Sequence, residues 1–356
     1  MLIFHVKLTI LPSCLMVIVY HTKALYNGGM IELQRCSDKE QWDDYILEHE
    51  GHPLQLWSWG QVKAGHGWIA ERLFAYDEDK IVGAAQVLIR KLPSPFRTFA
   101  YIPRGPLVDS AHQKEFLDKL AVLARRDHHA VALSIEPDSI EFDRPDGWVR
   151  STNKVLSAET ILLDVTKSES DLLADMAKKT RQYIRKSGAD VQIRHIKTRE
   201  EIEDCLAIYR QTSKRAGFNL HDDQYYLDVF IQMQDYSPIF AAYEGDEMVA
   251  FLWLAISETT AYELYGGVND RGQELRANYA LKWHAVKRVK EWGLKRYDFG
   301  GLVAGGVSIF KQGWASEVTV FAGTFDAPLS PLYTLWSKGL PFAKKTLQTI
   351  RRSKKS

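Results

Sequence analysis

The chain has 356 residues, 46% of them hydrophobic and 12% aromatic, with 46 basic against 45 acidic side chains and a formal net charge of +1. That length and apolar content can bury one large core or two ordinary ones, and they exclude a disordered chain. Balanced charge excludes a wholesale coat for nucleic acid, so any phosphate-bearing ligand must meet a local patch of cations.

The N-terminal segment 1–29 is apolar but interrupted by Lys7, Pro12 and His21, so no membrane span of ~20 residues is expected from it. Leu11-Pro12-Ser13-Cys14 matches a lipid-attachment site poorly, with its proline misplaced. From Met30 the chain reads as a strand followed by an amphipathic helix, and Met30 is the expected start, with 1–29 a non-native extension. Further on, β-branched and aromatic runs predict strands over 81–88, 99–102, 131–135, 161–165, 239–243, 248–256, 261–265 and 318–321. Helical periodicity predicts helices over 113–125, 168–186, 199–214, 223–232 and 277–292. The class is α/β (α+β).

The pattern occurs twice. Each half carries a helix, a hairpin with an acidic or glycine turn (Asp77-Glu78-Asp79, then Glu244-Gly245-Asp246), another strand and a long helix, which points to a duplicated unit. The expected division is 30–157 plus 325–356 for one domain and 158–324 for the other. The second half resembles the GNAT acyltransferase fold, giving two GNAT-like domains in tandem. The loop before its long helix, Asn269-Asp270-Arg271-Gly272-Gln273, lacks the glycine-rich cradle that holds a CoA pyrophosphate at a helix N-terminus. Cys14, Cys36 and Cys205 show no metal-binding or disulfide spacing, so metal-free, cofactor-free chemistry in a reducing compartment is expected.

Several strings occur in order: LQLWSWGQVKAGHGW (54–68), AYIPRGPLVD (100–109), LLDVTKSESDLLADMAKKTRQYIRKS (162–187), YELYGGV (262–268), RANYALKWHAVKRVKEWGLKRYDFGG (276–301) and IFKQGW (309–314). Together they resemble the Fem family, the FemA, FemB and FemX-like transferases that build peptidoglycan interpeptide bridges from aminoacyl-tRNA. No long helical arm fits between 232 and 239, so the short form is implied. The resemblance implies an aminoacyl-tRNA donor and a UDP-MurNAc-pentapeptide or lipid II acceptor. It implies Lys311, beside Phe310, as the catalytic cation, and Lys63 as a phosphate ligand. Tyr225, Tyr265 and Glu136 are implied near the acceptor, and His221 stands where the family has an arginine.

Elementary chemistry agrees with such a reaction, because aminolysis of an ester needs an amine and a cation at the developing oxyanion rather than an enzyme nucleophile. Lys178, Lys179, Arg181 and Arg185 offer a basic helix face for tRNA phosphates, which Lys287, Arg288 and Lys290 would extend. The basic C-terminal segment, with Lys338, Lys344, Lys345, Arg351, Arg352, Lys354 and Lys355, suits peripheral contact with an anionic membrane. A cytoplasmic monomer is expected, with Lys63 and Lys311 opening onto connected surfaces. An acyl-CoA-dependent N-acyltransferase and a non-catalytic muramyl-precursor binding protein are the alternative readings.

Overall fold

The computed structural model describes residues 31–302 and 310–339. The expected start at Met30, the 1–29 extension and the basic residues beyond Lys338 lie outside the described residues. The first half runs β1 (Ile31–Arg35), α1 (Lys39–Glu48), α2 (Trp57–Gly65), β2 (Trp68–Asp77), β3 (Lys80–Lys91), β4 (Thr98–Pro103), β5 (Leu107–Val108), α3 (Gln113–His128), β6 (Ala130–Glu136) and β7 (Val149–Arg150). The linking strand β8 (Glu159–Thr160) leads to β9 (Leu162–Asp164), α4 (Glu169–Asp175), α5 (Lys178–Asp190), β10 (Gln192–Ile196), α6 (Arg199–Ala216), α7 (Asp223–Met233), β11 (Ile239–Glu244), β12 (Glu247–Ile256) and β13 (Thr260–Val268). Then come α8 (Asp270–Leu275), α9 (Ala277–Glu291), β14 (Arg296–Asp298), β15 (Thr319–Val320) and β16 (Phe325–Pro328).

The duplication seen in the sequence is a duplication of topology. One sheet has the order β1-β2-β3-β4-β6-β16-β7, the other β10-β11-β12-β13-β14-β9. In each, four antiparallel strands end in one parallel pair, β4 with β6 and β13 with β14, and an antiparallel strand follows. Those sixth strands, β16 and β9, come from opposite ends of the second half. Phe325–Pro328 thus returns to the first sheet. The chain passes from one core to the other and back.

Alternation on the strands feeds two layers in each half. In the second sheet Phe240, Leu252, Leu254 and Ala261 pack with α9, while Ala241, Phe251, Trp253 and Tyr262 pack with α6 and α7. Leu54, Trp59 and Val62 from the first half join that second cluster, so the halves share buried apolar surface. The helices start and stop where local chemistry dictates: a capping box between Thr198 and Glu201 opens α6, and Gly217 at φ 75° closes it.

The helix expected over 168–186 is two helices. Met176 and Ala177 are extended (ψ 151° and 141°), Met176 is buried, and the Ala177 amide donates to the Gly313 carbonyl at 3.0 Å. A tertiary hydrogen bond and a buried methionine override a helical sequence that has no proline or glycine at the break. No helix among the described residues is long and apolar enough to cross a membrane.

Candidate active site

Two groups of predicted residues assemble, and both use β13. The first lies where α2 of the first half packs on α7 of the second. Lys63 donates to the Tyr225 hydroxyl at 2.7 Å, which also accepts from Tyr265 at 3.3 Å. The same ammonium lies 4.2 Å from the centre of the Trp59 ring. One turn along α2, His66 meets Asp228 at 2.8 Å and closes the junction. His221 is exposed, its ring stacked on Tyr225 with centroids 4.0 Å apart. Desolvation against these rings, then the charge of Lys63, push its pKa down, so at neutral pH it is a neutral donor and no substitute for an arginine cation.

Lys63 itself is lowered to about 8, first by burial and then by Arg90. A phosphate binds the protonated form, so the sign is fixed. An anion docked on this ammonium should therefore bind with level affinity below about pH 8 and weaken by up to tenfold per pH unit above it. Titrating precursor binding from pH 6.5 to 9.5 checks this, and Lys63→Met should give weak binding with no slope.

The second group surrounds Lys311. Its ammonium, half-buried, donates to the carbonyl oxygens of Phe299 and, at 2.8 Å, of Gly301. A tight turn presents both carbonyls: Gly300 and Gly301 have φ of 73° and 92°, and a Cβ on Gly300 would collide with the carbonyl oxygen of Glu263. Phe310, Tyr279 and Trp314 pack edge to face beside it. The carboxylate of Glu263 is buried and pairs with Lys282 from α9, and it accepts from the Tyr297 hydroxyl at 2.8 Å. Neither Glu263 nor Lys282 has any signal in the sequence, since a Glu and a Lys on different elements read as surface residues until the fold buries them together.

A bulge relates the two groups. On β12 the neighbours Trp253 and Leu254 pair with Tyr265 and Glu263, leaving Leu264 as an extra residue that turns Tyr265 and Glu263 to opposite faces. Tyr265, which meets Lys63 through Tyr225, therefore stands on the α6/α7 face, and Glu263, which pairs with Lys282, on the α9 face, two residues apart along one strand. β13 pairs with β14 only over Thr260–Tyr262, and from there to Val268 no strand among the described residues lines that side.

Other predicted positions fall differently. Glu136 is 2% exposed, and its oxygens accept from the Tyr101 hydroxyl, the Val155 and Leu156 amides (both 3.0 Å) and Thr324 Oγ1 (2.7 Å). That corrects its expected place beside the acceptor: it ties the segment leaving the first sheet to the segment returning to it. On α5, Lys178, Lys179 and Arg185 are exposed, whereas Arg181 caps the end of α4 through the carbonyls of Leu173 (3.2 Å) and Ala174 (3.4 Å). Lys290 is held by the carbonyls of Val165 to Lys167, and Arg288 pairs with Glu291, so neither extends the patch as expected. Lys338 is exposed. A cleft of about 300 Å³ lined by Glu50, His52, Arg104, Gln113 and Asp138 contains none of the predicted residues.

The loop expected to lack a pyrophosphate cradle folds as α8, whose Gly272 amide is capped by Asn269 Oδ1 at 2.7 Å rather than left open to an anion.

Comparison with known proteins bears on both halves. Residues 38–158 match the FemAB family, and residues 174–312 match the acetyltransferase (GNAT) domain. The chain is Fem-like in sequence and fold. A lipid II:glycine glycyltransferase of Staphylococcus haemolyticus is 21% identical over 89% of this chain and 98% of that protein. One from Staphylococcus saprophyticus is 22% identical over 88% and 97%. The crystal structure of FemX superposes with a TM-score of 0.74 at 20% identity, covering 86% of this chain and 100% of FemX. A tandem GNAT protein from the clavulanic acid pathway reaches 0.51 at 13% identity, covering 85% and 99%. The expected tandem GNAT architecture of this Fem-like chain is thereby established.

Proposed function

We propose that this chain transfers an amino acid from aminoacyl-tRNA to the stem-peptide side-chain amine of a peptidoglycan precursor, building an interpeptide bridge. The observation that carries the reading is Lys311, whose ammonium is held, among the described residues, by the backbone carbonyls of Phe299 and Gly301. Relatives named for glycyl transfer to lipid II, matched along nearly their whole length, support the acceptor class.

In this reading the precursor's diphosphate meets Lys63, and its diamino residue passes Tyr225 and Tyr265 towards Lys311. The ester enters from the α9 face. The neutral amine attacks the ester carbonyl, the oxyanion forms beside Lys311, and collapse breaks the C–O bond to the ribose, whose oxygen takes up a proton. No covalent enzyme intermediate is needed. With domains divided at 157/158 and 324/325, this reading puts the acceptor at their junction, in a protein acting as a monomer. Placement at the cytoplasmic face of the membrane follows from the acceptor.

The donor's RNA is assigned to α5. Replacing Lys178, Lys179 and Arg185 together by serine should weaken tRNA binding and flatten its salt dependence by about three contacts' worth of slope. Binding measured across a salt series checks this, and an unchanged slope would move the RNA elsewhere. The reading as a whole is tested by mass spectrometry of muropeptides from the host with and without the gene. Loss of a bridge residue supports it and names the donor; an unchanged profile, with CoA binding by the purified chain, favours the acyl-CoA alternative.

A further inference from the structure

Lys311 shares its surroundings with a second lysine and one carboxylate. Lys282 is 5% exposed and lies 4.5 Å from the centre of the Phe299 ring and 5.5 Å from that of Phe310, the residues that hold and adjoin Lys311. Glu263 backs directly onto the Phe299–Gly301 turn: a Cβ built on Gly300 would lie 3.4 Å from the Glu263 Cβ. The carboxylate thus sits within one residue's reach of the carbonyls that bind Lys311. Its Oε1 is taken all the same, paired with Lys282 and accepting from the Tyr297 hydroxyl. Lys282 and Lys311 are two ammoniums near the Glu263 carboxylate, and the fold pairs that carboxylate with Lys282.

We infer that Lys282 is a positioning residue whose task is to occupy Glu263, so that the Lys311 ammonium keeps only weak carbonyl partners and its charge remains available to an incoming oxyanion. A carboxylate is a far stronger partner for an ammonium than two carbonyls are, especially where water is excluded. Left unoccupied, Glu263 would draw Lys311 away from those carbonyls and neutralise it. Burial and the charge of Lys311 depress the Lys282 pKa to about 8, while Glu263 opposes them. The catalytic part of this inference rests on the role given to Lys311 above; the pairing does not.

The test is a charge cycle in the full chain: Lys282→Met, Glu263→Gln and the double variant. Lys282→Met frees the carboxylate and should lower kcat about 100-fold with acceptor KM little changed. Adding Glu263→Gln removes the competing anion and should restore kcat to within about tenfold of the parent. A purely structural pair gives the opposite, a double variant no better than the worse single.

The second readout needs no substrate. The rate at which Lys311 is acylated by an amine-selective reagent at fixed pH, read by peptide mass spectrometry, should fall about tenfold in Lys282→Met and recover in the double variant, because pairing with a carboxylate holds the proton on. Labelling that follows this cycle while no variant transfers an amino acid would sink the proposed function and keep the pairing. Labelling that is unchanged in Lys282→Met would overturn the pairing itself.

Discussion

Lys311→Ala lowers kcat for aminoacyl transfer by about 100- to 1,000-fold and leaves precursor affinity within about threefold of the parent. The size follows from what the side chain does. In the resting protein its ammonium spends its hydrogen bonds on the Phe299 and Gly301 carbonyls, so under the proposed function, with the acceptor's diphosphate at Lys63, it should contribute little to acceptor binding. Its charge matters when the ester carbonyl acquires negative charge, and only an interaction stronger in the transition state raises kcat. The fold should survive, because the Lys311 side chain is only half-buried and pairs with no charged group among the described residues. Steady-state kinetics with calorimetric precursor binding separates the two effects. A rise in KM at constant kcat would make Lys311 a binding residue.

Glu136→Ala has the largest expected effect on stability, about 3–5 kcal/mol, read as a shift in the denaturant midpoint. The substitution strands the Tyr101 and Thr324 hydroxyls and the amides of Val155 and Leu156, all grouped around a carboxylate that is 2% exposed. Buried donors without acceptors carry a desolvation cost that a cavity does not relieve. Glu136→Gln keeps the shape and one acceptor oxygen and should lose roughly half as much. A role in acceptor binding would instead leave stability intact and raise KM.

The same residue shows how far the sequence could be read. Glu136 stands in a strand that was legible from its β-branched run, yet its partners come from the linker and from residue 324, and nothing local announces them. The hairpins were legible because acidic and glycine turns punctuate apolar runs, and the long helices because their periodicity is strong. Short strands such as β14 and β16 carry no pattern of their own, since three or four residues cannot show a period; they exist because the sheets have edges to pair with.

In the candidate site, Lys311, Lys63, Tyr225 and Tyr265 were named through motifs; the fold joins Lys63 and Tyr225 to Tyr265 of β13 and sets Lys311 at the turn packed against Glu263. That Tyr265 and Glu263 occupy opposite faces depends on one bulge at Leu264, which no residue type there predicts. The break at Met176 and the pairing of Lys282 with Glu263 were hidden for the same reason: both are decided by neighbours far away in the chain.

The central claim of the proposed function is that an aminoacyl ester and the precursor's amine meet beside Lys311. Incubating the purified chain with a mixture of aminoacyl-tRNAs and the UDP-linked or lipid-linked precursor, and weighing the precursor by mass spectrometry, tests it most directly. The account predicts a gain of one aminoacyl residue on the side-chain amine, abolished by ribonuclease and by Lys311→Ala. A precursor of unchanged mass with every donor, from a chain that still binds it, would contradict the account.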